Sequence, residues 1–281
     1  MKTLFYLILF LTLVYNAVLF YVDKNIDQRN MKNVYNNCHK VWSSRGIYNS
    51  QANQNSISSF KKAFSLGHKG IEVDFYYDVK MNRFIISHDR LYLKEKKSYQ
   101  YFLKDGKVLT LENLLKETST DHYFWLDYKN LDRLSDLETQ NSIKRLDKIT
   151  KDSNLKERLY IEGSTPNTLE NYTKAGYKTL FAFQPLKADS IFSSISSNIY
   201  KIAYYFYDVT AVALPYGPLE NPKYSKQTQE NLRGIPTFLF HVPNDEKLLK
   251  KLVKEKDVRV MLVGRDESVN RANITNCSKE N

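Results

Sequence analysis

Short apolar runs recur along this chain at a spacing that leaves room for a helix between most of them. That alternation constrains the fold more than any other feature. Candidate strands fall at about 37–43, 70–75, 122–128, 158–162, 178–183, 209–214, 236–242 and 258–263. Between them, Ser56 to Leu66 places Ile57, Phe60, Ala63 and Phe64 on one helical face, with Gly67 where the helix would stop. Asp245 to Lys256 carries a similar stripe of Leu248, Leu249, Leu252 and Val253, which is core-forming. Eight strands alternating with helices predict an α/β fold, a closed (β/α)8 TIM barrel. A chain of 281 residues suits one such domain after a leader.

That leader is expected at the start. Residues Thr3 to Val22 are apolar apart from Tyr, Thr and Asn16, and about 20 such residues suffice to cross a bilayer. Only Ala17 is small near the end of the run, which favours an uncleaved anchor over a cleaved signal segment. The expected organisation is residues 1–22 as transmembrane or signal-anchor helix, 23–35 as a polar linker and 36–281 as the barrel. The barrel is then expected on the extracytoplasmic side of the membrane, or secreted if the segment is cleaved. Cys38 and Cys277 stand near opposite ends of the folded part, either bridged in an oxidising compartment or left as two thiols. The net charge of +11 suits an anionic partner such as a phospholipid headgroup or a phosphodiester. No arginine-rich run, RNA-binding signature or zinc-finger spacing accompanies it, so nucleic acid is not the expected partner.

The chemistry concentrates between Gly70 and Asp89. Glu72 and Asp74 are two residues apart, so in a strand both carboxylates point to one side. Like charges that close repel unless a cation sits between them, and a hard divalent ion with oxygen ligands, Mg²⁺ or Ca²⁺, fits. Residues 76–83 read as a turn, after which Phe84 to Ser87 would return as a hairpin and deliver His88 and Asp89. The third strand puts Asp127 and Lys129 on one face, where Asp127 completes a three-carboxylate metal site and Lys129 meets a phosphate oxygen. Glu162 ends the fourth strand, and the seventh offers His241 and Asn244. His68, His122 and His241 read as helix-end, strand-entry and pocket-wall groups rather than catalysts.

In this order the motifs resemble the glycerophosphodiester phosphodiesterase family, a phosphatidylinositol-phospholipase-C-like barrel. The residues that carry the resemblance are Ser44-Arg45-Gly46, Gln54-Asn55-Ser56, Gly67 through Glu72-Val-Asp74, Ser87-His88-Asp89 and Asp127-Tyr-Lys129. The match covers residues 37 to 130 and is weaker at Val242-Pro-Asn244 and at Val263-Gly-Arg-Asp. The resemblance implies Glu72, Asp74 and Asp127 as ligands of Mg²⁺ or Ca²⁺, His88 as a catalytic histidine, and Arg45 and Lys129 as phosphate contacts. The chain departs from the pattern at Ser44, where the family has a histidine. His39 is the candidate replacement, and Cys-His-Lys-Val-Trp is also similar to the start of sphingomyelinase-D-type barrels. If His39 is instead a buried or surface histidine, the first proton-transfer role is vacant or filled by another group.

The expected activity is metal-assisted cleavage of a glycerophosphodiester or (lyso)phospholipid headgroup phosphodiester, with two histidines moving protons. Two other classes remain open: a catalytically inactive barrel that binds such phosphodiesters, and a sugar hydrolase using Asp127 and Glu162 without metal.

Overall fold

The computed structural model describes residues 2–29, 33–50, 53–88, 92–94, 98–100, 108–118, 121–151, 154–264 and 273–277. In chain order they form α1 (Lys2–Asn25), β1 (Val41–Ser44), α2 (Ile57–Ser65), β2 (Gly70–Asp78), β3 (Arg83–Ile86), β4 (Tyr92–Lys94), β5 (Ser98–Gln100), α3 (Leu111–Thr118) and β6 (Tyr123–Tyr128). Then come α4 (Asp136–Thr150), β7 (Leu159–Gly163), α5 (Pro166–Lys174), β8 (Lys178–Ala182), α6 (Ser193–Phe206), β9 (Ala211–Pro215), α7 (Lys226–Asn231), β10 (Thr237–Val242), α8 (Glu246–Leu252) and β11 (Val258–Val263). The eight parallel strands β1, β2, β6, β7, β8, β9, β10 and β11 pair in sequence, and β1 closes the ring by pairing with both β2 and β11. This is the expected barrel.

Alternation along the strands divides the interior into two zones. Trp42, Trp125, Tyr160, Leu180, Ala211, Ala213, Phe238, Val260 and Leu262 pack against one another as the inner filling. Their strand neighbours, such as Val41, Val73, Leu126, Ile161, Leu239 and Met261, pack in the larger cluster shared with the helices. Tight packing explains one glycine. A Cβ on Gly70 would lie 2.3 Å from the Trp42 ring, so the indole fits only because β2 begins without a side chain.

The hairpin is longer than expected. Tyr76, Tyr77 and Asp78 extend β2 and pair with Ile85, Phe84 and Arg83 of β3, so the turn shrinks to residues 79–82. Burial of Tyr76 and Tyr77 accounts for the extension. A second small hairpin, β4 with β5, has no counterpart among the expected strands. Asp89 lies outside the described residues, as do Arg265 and Asp266 of the terminal motif.

The first strand also differs. It starts at Val41, and the residues before it close the bottom of the barrel. The Tyr160 hydroxyl accepts from the Tyr35 amide at 2.6 Å, and the Tyr35 ring lies 5.0 Å from Trp42. Cys38 and Cys277 form a disulfide beside this plug. The stretch expected as a polar linker is held against the barrel at particular points between residues 23 and 29. Val22 and Ile26 are in the core, Asp23 pairs with Lys201 of α6 at 2.5 Å, and the Arg29 guanidinium stacks 4.3 Å from the Tyr204 ring. Ile26, the one apolar residue between 23 and 29, and Val22 just before it give this segment its buried side. Leu4 to Leu11, by contrast, are all exposed.

Deleting residues 2–17 is therefore expected to change folding stability by less than about 1 kcal/mol. Deleting residues 2–29 also removes the burial of Val22 and Ile26, about 3–6 kcal/mol together. Denaturant midpoints of the two truncations in oxidising buffer check the difference.

Candidate metal centre

Three adjacent strands, β2, β6 and β7, are in register so that Asp74 aligns with Asp127 and Asp127 with Glu162, while Glu72 sits one inward position lower on β2. The inward half of the alternation thus carries aromatic residues in the lower part of the barrel and acids at its mouth. Carboxylate oxygens of Glu72, Asp74 and Asp127 all come within 4.8 Å of one another. Hard oxygen donors at that spacing match the coordination preferences of Mg²⁺ or Ca²⁺.

Each carboxylate has dedicated partners. The Ser44 hydroxyl donates to Glu72 Oε2 at 2.8 Å. Asp74 is fully buried and accepts from Asn55 Nδ2 at 2.6 Å. Arg45 Nε lies 2.8 Å from Asp74 Oδ2, and Lys129 Nζ lies 2.6 Å from Asp74 Oδ1. Lys129 also pairs with Asp127, and the Trp125 indole donates to Glu162. The Lys129 ammonium is thus a cation wedged between two carboxylates.

Local backbone choices deliver these groups. After Ser44 the chain turns sharply: Arg45 has φ +58, Gly46 φ +80, and the Arg45 amide still donates to the Glu72 carbonyl at 3.1 Å. A Cβ on Gly46 would lie 2.5 Å from Ser59, so only glycine fits against the first turn of α2. Asn55, at φ +51, immediately precedes the Ser56 N-cap, whose reciprocal bonds with Ser59 form a capping box. Its side chain bridges to β2 twice, donating to Asp74 Oδ2 and accepting from the Asp74 amide at 3.2 Å. Asn55 and Ser44 are site residues whose roles the sequence reading left unassigned. The signal for Asn55 was its place just before a capping serine.

Too many acids share this space for all to ionise easily. Burial, then the charges of Asp74 and Asp127, push Glu72 well above the usual glutamate value, and Arg45 and Lys129 offset only part of it. Burial and the Asp127 charge likewise push Glu162 well up against the Trp125 hydrogen bond. Burial raises Asp127 even with Lys129 beside it. Asp74 goes the other way: burial pushes its carboxyl up, but Lys129, Arg45 and Asn55 outweigh burial and hold it below the usual aspartate value. Lys129 loses to burial but gains more from Asp127 and Asp74, and its value is raised.

The five histidines separate by strand end. His39 precedes β1 by two residues, beside the disulfide: its Nε2 is 3.6 Å from Cys277 Sγ. It lies five residues below Ser44, roughly 16 Å of strand, at the end of the barrel away from the acids. His39 is therefore not the replacement for the missing histidine. The expectation failed because a strand start near residue 37 put His39 inside the strand, whereas pairing begins at Val41. His68 and His122 also precede strands, β2 and β6, at the same lower end, as expected for helix-end and strand-entry groups. His88 follows β3, one residue after Ser87, whose amide donates to the Asp74 carbonyl at 3.0 Å. It is exposed, and its carbonyl accepts from the Tyr76 hydroxyl at 3.4 Å. His241 ends β10, also at the mouth.

Metal-free stability should carry the signature of these acids. Glu72, Glu162 and Asp127 have raised values, so their stabilising contribution is complete below the ordinary carboxylate range and is lost as pH rises through the raised values. Asp74, with a lowered value, contributes above its ordinary 3.8 and loses that contribution only in acid. Three groups oppose one, so the unfolding free energy in chelator is expected to fall as pH rises from the ordinary carboxylate range through neutrality. Millimolar Mg²⁺ or Ca²⁺ is expected to flatten the fall. Urea midpoints across that range, with and without cation, check it.

No family model matches the sequence, and no curated protein matches it. Solved structures do share the fold. A glycerophosphodiester phosphodiesterase from Parabacteroides distasonis is 16% identical over 82% of this chain and 93% of that one, with a TM-score of 0.57. One from Thermotoga maritima is 19% identical over 80% and 93%, with a TM-score of 0.55. A putative one from Galdieria sulphuraria is 16% identical over 79% and 92%, with a TM-score of 0.56. The chain has the fold of solved glycerophosphodiester phosphodiesterases, and at its mouth lie Ser44, Arg45, Asn55, Glu72, Asp74, Asp127 and Lys129, which are among the residues that carry the sequence resemblance.

Proposed function

We propose that this protein is a metal-dependent phosphodiesterase that cleaves a glycerophosphodiester or a (lyso)phospholipid headgroup phosphodiester. The observation that carries the reading is the convergence of Glu72, Asp74 and Asp127 with Arg45 and Lys129 at the mouth of this barrel. The named activity of the solved structures with the same fold agrees with it.

Glu72, Asp74 and Asp127 would hold a divalent cation, Mg²⁺ or Ca²⁺. When bound, such a cation supplies Lewis-acid charge that favours attack at phosphorus. Arg45 and Lys129 then have a second use. Both lie against Asp74, and both would stabilise charge on the non-bridging oxygens of a phosphate bound beside it. His88 protonates the leaving alkoxide. The nucleophile is water or a neighbouring hydroxyl of the substrate. Ser44 and Asn55 hold Glu72 and Asp74 in a fixed orientation.

Release of product from glycerophosphodiesters and lysophospholipids, with Mg²⁺, with Ca²⁺ and with chelator, is the direct test. Turnover is expected only with cation, and Glu72→Ala is expected to lower it on the order of 10³-fold. Turnover that survives both chelator and Glu72→Ala would sink the metal mechanism.

Two further features bear on location. The apolar part of α1 is long enough to span a bilayer, and its first half touches nothing in the barrel. The Cys38–Cys277 bridge suits an oxidising compartment. Both support an anchored barrel on the extracytoplasmic side. The full chain is expected to stay in the membrane fraction after an alkaline wash and to leave it with detergent. Release by the wash alone would count against anchoring.

A further inference from the structure

Diester cleavage moves two protons, one off the nucleophile and one onto the leaving oxygen. His88 can serve one of them. The lower-end positions of His39, His68 and His122 remove them from consideration, which leaves one other histidine at the mouth.

Several observations single out His241 rather than merely leave it over. In β10, Leu239 pairs with Met261 and Val242 with Val263, so three steps on β10 answer two on β11. One residue is extra, which is a β-bulge, a device that re-aims a side chain. On one side of it, Phe240 packs with the inner filling, and on the other, Val242 packs in the outer core. The extra residue is thus freed from the strand alternation that would have turned position 241 outward. His241 takes up the distortion with φ +49, a left-handed conformation that a histidine adopts only at a cost. A glycine would sit there without strain, yet the chain carries an imidazole. His241 is exposed to solvent, and partial burial of its ring, with the nearby cations Arg45, Lys223 and Lys129, holds it below the usual histidine value. Two of those three cations are the ones that touch Asp74. The ring is therefore neutral near pH 7 and able to accept a proton.

We propose that His241 is the second catalytic histidine, the general base that takes the proton from the attacking hydroxyl. This rests on the phosphodiesterase reading. As the nucleophile's oxygen forms its bond to phosphorus, its proton passes to the free nitrogen of the His241 ring. The bond from phosphorus to the leaving oxygen breaks, and His88 gives that oxygen a proton. One proton is taken and one is given, and the two histidines exchange them with solvent afterwards. His241 thereby fills the role that Ser44 cannot, from the opposite side of β1 and by way of a different strand.

The test uses the detergent-solubilised full chain with Mg²⁺ or Ca²⁺ and the panel member it turns over fastest, alongside an aryl diester, bis(p-nitrophenyl) phosphate. His241→Gly relieves the left-handed backbone, and His241→Asn keeps a residue that tolerates it. Both variants are expected to melt at or above the wild-type temperature and to keep its stabilisation by cation. Both are expected to lose about 10²- to 10⁴-fold in kcat, with KM within a few-fold. With the aryl diester, whose leaving group needs no proton, His88→Ala is expected to recover most of its activity while the His241 variants do not. A kcat within threefold of wild type in both His241 variants, or a loss confined to KM, overturns the assignment while leaving the phosphodiesterase reading intact. Recovery of the His241 variants on the aryl diester overturns its role as the base. No turnover of any diester by the wild type overturns the phosphodiesterase reading and this one with it.

Discussion

The mouth of this barrel depends on an electrostatic imbalance: four carboxylates, Glu72, Asp74, Asp127 and Glu162, share a small buried space with two cations, Arg45 and Lys129. The aromatic filling below, with Trp42, Trp125, Tyr160 and Phe238, admits no water from beneath and so makes each charge harder to solvate. The surrounding structure answers that difficulty with fixed donors. Ser44, Asn55 and Trp125 each give a hydrogen to one acid, and the tight turn at Arg45-Gly46 and the cap of α2 exist in the form that puts the first two there. The surplus acids are pushed towards their protonated forms, and a divalent cation would let them ionise together.

Much of this was legible from residue order alone. Period-two alternation in Gly70–Phe75 and Tyr123–Tyr128 gave the strands, and in-strand spacing put Glu72 with Asp74 and Asp127 with Lys129 on common faces, because a pleated strand leaves no other option. The reading failed where the outcome turned on where pairing starts or on a departure from regularity. His39 looked like a strand residue until pairing was seen to begin at Val41. The distortion at His241 was not legible, because nothing in Thr-Phe-Leu-Phe-His-Val announces a bulge. A bulge is decided by the register of β10 against β11, a property of two strands, not one. Asn55 was visible in its motif but not in its role, since a side chain that braces a strand some twenty residues away leaves no local periodicity. The segment from Asp23 to Arg29 misled through its charges. Asp23 and Arg29 are polar in composition yet are used in specific pairings with α6 and its end.

The two ends of the barrel divide the labour. The lower end is closed by Tyr35, by the disulfide and by three of the histidines, none of which meets the acids. The upper end carries the cations, the acids and the remaining two histidines. His241 enters the mouth from β10 and His88 from the loop beyond β3, so a substrate phosphate between them would be flanked on two sides. That arrangement does not require a histidine at position 44. It leaves Ser44 to hold Glu72 instead.

The seam of the barrel has a consequence for how the protein acquires its structure. β1 has only four residues and closes the ring by joining β2, near in sequence, to β11, more than two hundred residues away. Contacts of that separation carry a large loop-closure cost and form late in folding. Ser44 and Arg45 meet β2 rather than β11, so the part of the site they form does not depend on that distant pairing. The Cys38–Cys277 bridge spans 239 residues across the same seam. Once it has formed, the loop-closure cost of the most distant pairing in the barrel has already been met.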